Sequence, residues 1–413
     1  MRYQIEFVIF CLFLACIPHF LAPENILYGI FTLVWLINRA TDKNGNKNWG
    51  GPWRWFDSVI VIWILTDLII NGVNSLQGHG FSGGFDLLRY TSVLWMVSRT
   101  KYSPKQIITL MIIAVLTTVA GIPFAYHAYL KAGHDITHFY FKALGERNHT
   151  AIFMDLVLGL GLSFLLAFWQ KLAWALRIIS IVLLGLICFG LLIDASRAGF
   201  GAAFVIVFVL GVIYWWRSRA ITGVLLGLLV IAGVATFVMH PFVLQRQEVW
   251  QQNLEKTGSD ARECIWHSAW LTFEQSPIVG FGSHNYRFAA TPENIQKWSD
   301  EKYQNQPNKI RPCYGFAPHA HNVYFTTLAE TGLIGFAGLI LFLVSWLVFL
   351  IKSRPGFKST ELYWALWGAA LCAWFTDVGI GFVNTTLHHE HALMSMMILG
   401  LVLSCFYNAQ KEH

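Results

Sequence analysis

Pro318-His319-Ala320-His321-Asn322-Val323-Tyr324-Phe325-Thr326-Thr327-Leu328-Ala329-Glu330-Thr331-Gly332-Leu333-Ile334-Gly335 is the stretch in which this chain leaves its longest polar segment and enters an apolar one. The polar segment behind it runs from about 239 to 320. A stretch of that length cannot lie in hydrocarbon, because its peptide groups would find no hydrogen-bond partners there. It is predicted to be a module on one face of a membrane, and chemistry is expected on that face. Residues 321–330 read as a short helix stopped at Thr331-Gly332, since glycine is a favoured helix terminator. The spanning helix then starts at Leu333, which leaves His319, His321 and Asn322 at the membrane–water boundary.

Composition agrees with this setting. The chain has 413 residues, 55% of them hydrophobic and only 13% charged, whereas soluble domains average about 25% charged. Twelve apolar runs are long enough, or nearly so, to be spans: 5–22, 25–38, 57–71, 85–98, 106–124, 151–169, 177–193, 198–216, 220–238, 333–351, 362–380 and 391–408. The expected fold is an all-α polytopic membrane protein. It divides into nine transmembrane helices in 1–238, a large, mainly helical loop in 239–332 and three transmembrane helices in 333–413. The first run lacks a small-residue cleavage site and reads as a retained helix.

The net charge of +6 does not point to nucleic acid, because the Lys and Arg are scattered through short loops rather than gathered in a stripe. They alternate instead. With the N-terminus inside, Arg39, Arg54, Arg99, Lys171, Arg219 and Lys352 fall in inner segments, while the outer loops 19–24, 71–84 and 381–390 contain no Lys or Arg. This orientation puts both termini in the cytoplasm and turns the large loop outward. There is no P-loop, dinucleotide fingerprint, GxSxG or HExxH, so nucleotide-driven and hydrolase chemistry have no support.

Within the loop, Asp260-Ala261-Arg262-Glu263 reads as a capping box opening a helix, with Trp266, Trp270 and Phe273 at helical spacing and Pro277 ending it. Arg262 shares the face of Trp266 and Trp270, which suits a helix at a lipid headgroup surface or one packed on its own module. Asp194-Ala195-Ser196-Arg197 joins two apolar runs with almost no loop. An arginine so close to hydrocarbon is retained for an anionic group, or pairs with Asp194. Asp377 and His388-His389-Glu390-His391 fall on the same outer face; the histidines are a candidate metal cluster or a solvated helix end. Cys264 and Cys313 both lie in the loop, either bridged or free. Arg197, Arg262 and His321 thus converge in topology, with Arg fitted to phosphate recognition and His to proton exchange. Such a set suits a membrane-embedded phosphate ester and a proton-transfer step.

Four stretches resemble the O-antigen ligase family, within the wider O-antigen ligase and polymerase superfamily. They are Ser196-Arg197-Ala198-Gly199; Asp260-Ala261-Arg262; Pro318-His319-Ala320-His321-Asn322 with Glu330-Thr331-Gly332-Leu333-Ile334-Gly335; and Arg147-Asn148-His149-Thr150-Ala151. The resemblance covers the chain from about 140 onward. It implies a bacterial inner-membrane glycosyltransferase of the GT-C type, with a periplasmic active site. Such an enzyme moves polysaccharide from undecaprenyl pyrophosphate to the lipid A–core oligosaccharide without a metal or other cofactor. By similarity, Arg197 and Arg262 grip the donor pyrophosphate and His321 deprotonates or orients the acceptor hydroxyl. Asp194, His319, Asn322 and Asp377 take binding or orienting roles. An O-antigen polymerase would use the same donor. A protein O-oligosaccharyltransferase is usually longer at its C-terminus, and here the chain ends soon after the last run. An anion transporter would place its ionisable residues near the midplane, often within inverted repeats, and no repeat is seen.

Overall fold

The computed structural model describes residues 2–41, 49–78, 80–215, 219, 223, 261–303, 319–356 and 358–409. Among these residues all regular structure is helical. The helices are α1 (Arg2–Cys16), α2 (Leu21–Ala40), α3 (Trp55–Leu76), α4 (Ser82–Ser98), α5 (Pro104–Lys131), α6 (Arg147–Phe168), α7 (Trp174–Asp194), α8 (Arg197–Tyr214), α9 (Ala261–Gln275), α10 (Tyr286–Ala289), α11 (Pro292–Tyr303), α12 (Val323–Lys352), α13 (Glu361–Gly381) and α14 (His389–Ala409), with a 3-10 turn at Ile136–His138. Eight of them (α2, α3, α5, α6, α7, α8, α12 and α14) are long and apolar enough to cross a membrane. Three more expected runs are helices as well. Of these, α1 and α4 have only 15 and 17 residues, and α13 falls short on apolarity. The run at 220–238 lies outside the described residues except for 223, and Asp260, Cys313 and Pro318 lie outside them as well.

Helix ends sort into two groups, as antiparallel neighbours require. At one end, Arg39 of α2 pairs with Glu6 of α1 at 3.1 Å and donates to Thr100 after α4. Arg99 pairs with Asp57 of α3 at 2.6 Å. Arg54 lies 4.0 Å over the Tyr407 ring of α14. These are the ends that the charge alternation puts on the inner face. The opposite end gathers the C-termini of α3, α7 and α13 with the N-termini of α4, α6, α8, α12 and α14. Both boundary motifs, 194–197 and 319–322, lie there.

Helix α6 is the axis of this half. It is buried over most of its length because glycines bring its neighbours close. A Cβ on Gly159 would stand 2.7 Å from the Cys372 Cβ of α13, and one on Gly368 would overlap Ser163 Oγ. Small residues at such crossings replace the hydrophobic driving force that helix pairs lack in lipid.

The expected break at Thr331-Gly332 is present. Gly332 has φ 60° and ψ −163° inside α12, a region open essentially to glycine alone. The loop preceding α10 occupies the break: Leu333 N donates to Pro277 O at 2.8 Å, Ile334 N to Ile278 O at 3.2 Å, and Gly282 N to Glu330 O at 2.6 Å. Cβ atoms at Gly332 or Gly280 would overlap the backbone facing them, at Ile278 and Glu330 respectively. Tyr286 N reaches Glu330 Oε1 at 3.4 Å. The Glu330–Gly332 motif is therefore a clasp that fastens the loop to the helix.

Helix α9 starts where a helix was expected, and Cys264 within it is disulfide-bonded. Its aromatic stripe is partly covered, with Trp270 left 39% exposed. Trp266 and Trp270 lie 5.9 and 6.5 Å from Phe325 in the first turn of α12, so one side of the stripe faces the clasped helix. Gly332→Ala is expected to cost about 1–3 kcal/mol for the backbone alone, with the overlap at Ile278 added. Folded protein recovered in detergent should fall sharply, whereas Gly185→Ala, which meets nothing, should leave the yield near that of the wild type.

Candidate functional site

Asp194 ends α7, Ala195 turns the chain with φ 53°, and Ser196 caps α8. Asp194 Oδ1 accepts from Ser196 N at 3.1 Å, and Ser196 Oγ accepts from Gly199 N at 3.3 Å. Ser196 Oγ also donates to Asn148 Oδ1 at 3.4 Å, which ties the joint to the start of α6. Asp194 is buried and is thereby committed to shaping the joint. Arg197 stands exposed on the first turn of α8.

One residue beyond Asn148, His149 is buried. Its Nδ1 faces Leu144 O at 3.3 Å and its Nε2 lies 3.2 Å from Glu146 Oε1. The ring is 6.1 Å from His319, 4.7 Å from His389 and 5.0 Å from His391. His319 packs edge-on against His321 at 4.4 Å. Its Nδ1 accepts from His321 N at 3.3 Å and meets Thr385 Oγ1 at 3.1 Å. A further pair, His284 and His388, joins Nε2 to Nε2 at 2.7 Å. The joint bearing Arg197 and the turn bearing His321 are therefore linked through α6.

Asn322 is spent on structure. Its Oδ1 accepts from Tyr324 N and Phe325 N at 2.9 and 3.0 Å, and its Nδ2 donates to Phe382 O at 2.8 Å. It caps α12 and ties it to the end of α13, which orients His321. Asp377 is buried near that end of α13, and its backbone carbonyl accepts from Thr386 Oγ1 at 2.6 Å. Arg262 is exposed on the first turn of α9, the helix packed on α12 just beyond His321.

Non-glycine residues with positive φ gather here. Of the seven among the described residues, Ala195, His284, His321, Leu387 and His389 lie in the segments that form this end of the bundle. Such conformations cost of order 1–3 kcal/mol each and persist where surrounding contacts over-determine them.

Burial sets the protonation. Desolvation, followed by the neighbouring rings of His321, His149, His389 and His284, pushes the His319 pKa far below 6.5. Desolvation and then His389, His284, His149 and His319 do the same to His388. Glu146 moves the other way: burial raises it, opposed by His321 and Arg147. Glu146, His149 and His319 also bring three ligand atoms within 4.8 Å of one another. This is the described residues' candidate metal group, and it differs from the 388–391 run weighed from the sequence. His149 offers its Nε2 lone pair because Nδ1–H is held by Leu144 O, as a ligating histidine requires.

The sequence reading singled out neither His149 nor His284. His149 sat in the quoted Arg147–Ala151 stretch, with no role attached. Nothing local marks His284, whose importance comes from a partner 104 residues away.

A bundle with eight helices fit to cross a membrane and a polar site at one end defines a multi-pass membrane protein. Residues 186–340 match the family model described as O-antigen ligase, and over this segment the chain is similar to that family. The family is one of glycosyltransferase-like enzymes, which implies lipid-linked glycan substrates. No curated protein matches the chain.

A histidine held neutral in the fold loses stability as pH falls below its unfolded value, because the unfolded chain then binds a proton that the fold refuses. For His319 and His388 the loss starts below about 6.5, at up to about 1.4 kcal/mol per pH unit for each ring. Glu146 acts in the opposite sense above its ordinary 4.5. The difference between wild type and His319→Gln isolates the ring: the melting temperature of the wild type in detergent should fall more steeply between pH 6.5 and 5.

Proposed function

We propose that the protein is an O-antigen ligase, transferring polysaccharide from undecaprenyl pyrophosphate to the lipid A–core oligosaccharide at the periplasmic face of the bacterial inner membrane. The observation that carries this reading is the link from the Ser196–Arg197 joint through Asn148 and His149 to the His319–His321 turn. It sets an exposed arginine and a histidine turn at the same end of the bundle, in a chain whose residues 186–340 resemble this family.

Arg197 and Arg262 hold the donor pyrophosphate, which gathers negative charge as it departs. Fixed donors aimed at such charge contribute about 2.7–4 kcal/mol each. Arginine keeps its charge beside hydrocarbon and presents a fork that matches phosphate oxygens. His321 takes or directs the proton of the acceptor hydroxyl, a role with a typical effect of about 10²–10⁴-fold. Asn322 and His319 set the orientation of His321, Asp194 shapes the Arg197 turn, and Asp377 supports the 384–388 segment. Both substrates are lipid-anchored, so holding them side by side removes much of the entropic barrier. The chain works as three parts, 1–238 and 333–413 in the membrane and 239–332 as lid and partial wall. The site is shared between them.

The test is a gene deletion followed by gel analysis of lipopolysaccharide. A ligase leaves bare core while polymer accumulates on the lipid carrier. Core capped by a single repeat unit identifies a polymerase, and an unchanged ladder refutes both. In complementation, Arg197→Ala, Arg262→Ala and His321→Ala should each lower transfer by about 10²-fold or more with the protein still inserted. Full activity in any one removes that residue from the site.

A further inference from the structure

One carbonyl fixes two of the three residues grouped at Glu146, His149 and His319. Leu144 O accepts from Glu146 N at 2.9 Å and from His149 Nδ1 at 3.3 Å. With its hydrogen on Nδ1, a neutral His149 turns a lone pair outward at Nε2. Glu146 Oε1 lies 3.2 Å from that nitrogen, and both atoms are shielded from solvent without a hydrogen-bond partner. An ionised carboxylate only accepts, so two lone pairs face each other across that gap unless a cation or a proton lies in it. His319 brings a third ligand atom within 4.8 Å of the other two. His149 is 2% exposed, whereas the Glu146 side chain is 38% exposed and opens the group to water.

Two imidazoles and a carboxylate are donors that suit a borderline divalent cation, and Zn²⁺ binds such atoms at about 2.0–2.2 Å. The three atoms must draw together to reach that distance, and Glu146, at the wet edge, is the one free to swing. Water takes the fourth place of a tetrahedral site. Ligating histidines need partners for their other nitrogens, and both are present: Leu144 O at His149 Nδ1, and Thr385 Oγ1 at 3.1 Å from His319 Nδ1.

We propose that Glu146, His149 and His319 form a binding site for a divalent transition-metal cation of the Zn²⁺ type, and that filling it draws His321 out of its working position. The coupling follows from the two nitrogens of His319. Nδ1 accepts from His321 N at 3.3 Å. Ligation through Nδ1 takes that lone pair. Ligation through Nε2 leaves the neutral ring's one hydrogen on Nδ1, which then cannot accept. Either way the His321 amide loses its acceptor, in a residue whose φ of 47° persists only while its contacts hold it. The cation is therefore an inhibitor of transfer and no part of the transfer step. That consequence rests on the glycosyl-transfer reading; the binding site does not.

The experiment uses the full, untagged chain in lipid nanodiscs, stripped of metal by a chelator. Co²⁺, as a visible probe, should give the absorption bands of a four-coordinate nitrogen–oxygen site, and one equivalent of Zn²⁺ should abolish them. Glu146→Gln and His149→Gln should each weaken Co²⁺ binding by about 100-fold or more. Glu146→Gln, at the exposed edge, reports even where the histidine variant fails to fold. In a transfer assay with a lipid-linked glycan donor and a lipid A–core acceptor, Zn²⁺ should inhibit the wild type and chelation should restore it. Glu146→Gln should transfer as the wild type does without metal and resist Zn²⁺. A folded chain that binds no Co²⁺ overturns the site and leaves a proton in the gap, and binding unchanged in both variants overturns it as well. Transfer indifferent to Zn²⁺, or raised by it, in a chain that binds the metal at these residues overturns the coupling to His321. A metal-free wild type that transfers nothing overturns the glycosyl-transfer reading, while the Co²⁺ spectrum still decides the site.

Discussion

A helix broken near the membrane boundary has backbone groups without partners, and at Gly332 the loop at 277–282 supplies them. The cost of leaving such groups unsatisfied beside lipid is several kcal/mol each, so the break and the loop are obliged to form together. Everything at the site follows from that pairing. The clasp fixes Ser283 against Asp67 and Asn71, which sets His284 beside His388. It also fixes the direction of the first turns of α12, whose Asn322 cap holds His321 and whose Phe325 receives Trp266 and Trp270. The outer segment is thus part of the membrane domain's own architecture.

The histidine cluster adds an electrostatic constraint. Rings of His149, His319, His388, His389 and His391 lie close together, and burial penalises charge on those outside the spans. Buried rings of this kind stay neutral, each keeping its hydrogen on one nitrogen. Two features of the lattice of contacts follow. The Leu144 carbonyl holds His149 with its hydrogen on Nδ1, and the Asp86 carboxylate stands 3.3 Å from the same nitrogen of His284. Neutral rings beside exposed arginines are a sensible division. Arginine carries fixed charge toward an anionic group, while the buried rings stay neutral.

Much of the fold was legible because its signals are local. The Thr331-Gly332 stop, the helix from about 261 to Pro277 and the Asp194–Arg197 joint all rest on a few adjacent residues whose backbone chemistry is characteristic. Helices as short as α1 and α4 were legible as apolar runs, although their length alone does not span a bilayer. The aromatic stripe of α9 was ambiguous for a physical reason: a Trp face suits lipid headgroups and a protein neighbour equally, and here it faces Phe325 while Trp270 stays exposed. The site was less legible than the fold. Arg197 and His321 were picked out by their place at a boundary, and the fold links their turns. Asn322, given a binding or orienting role, caps α12. His149 and His284 owe their significance to partners 170 and 104 residues away, and no periodicity or spacing records such a meeting.

The Glu330-x-Gly332-x-x-Gly335 pattern, placed directly after the histidines, invites a catalytic reading, yet every part of it is occupied by structure. The Glu330 carbonyl accepts from Gly282 and its carboxylate oxygen faces Tyr286 N. Gly332 makes the break. A Cβ on Gly335 would overlap Thr331 Oγ1 and stand 3.3 Å from Ile70 of α3, so Gly335 lets the helix close against α3 just after the kink. The pattern and the histidine turn are therefore coupled mechanically: one sets the angle at which α12 emerges, and the other sits on the end whose position that angle determines. A substitution in the clasp would displace His321 and His284 together, because one loop and one kink carry both.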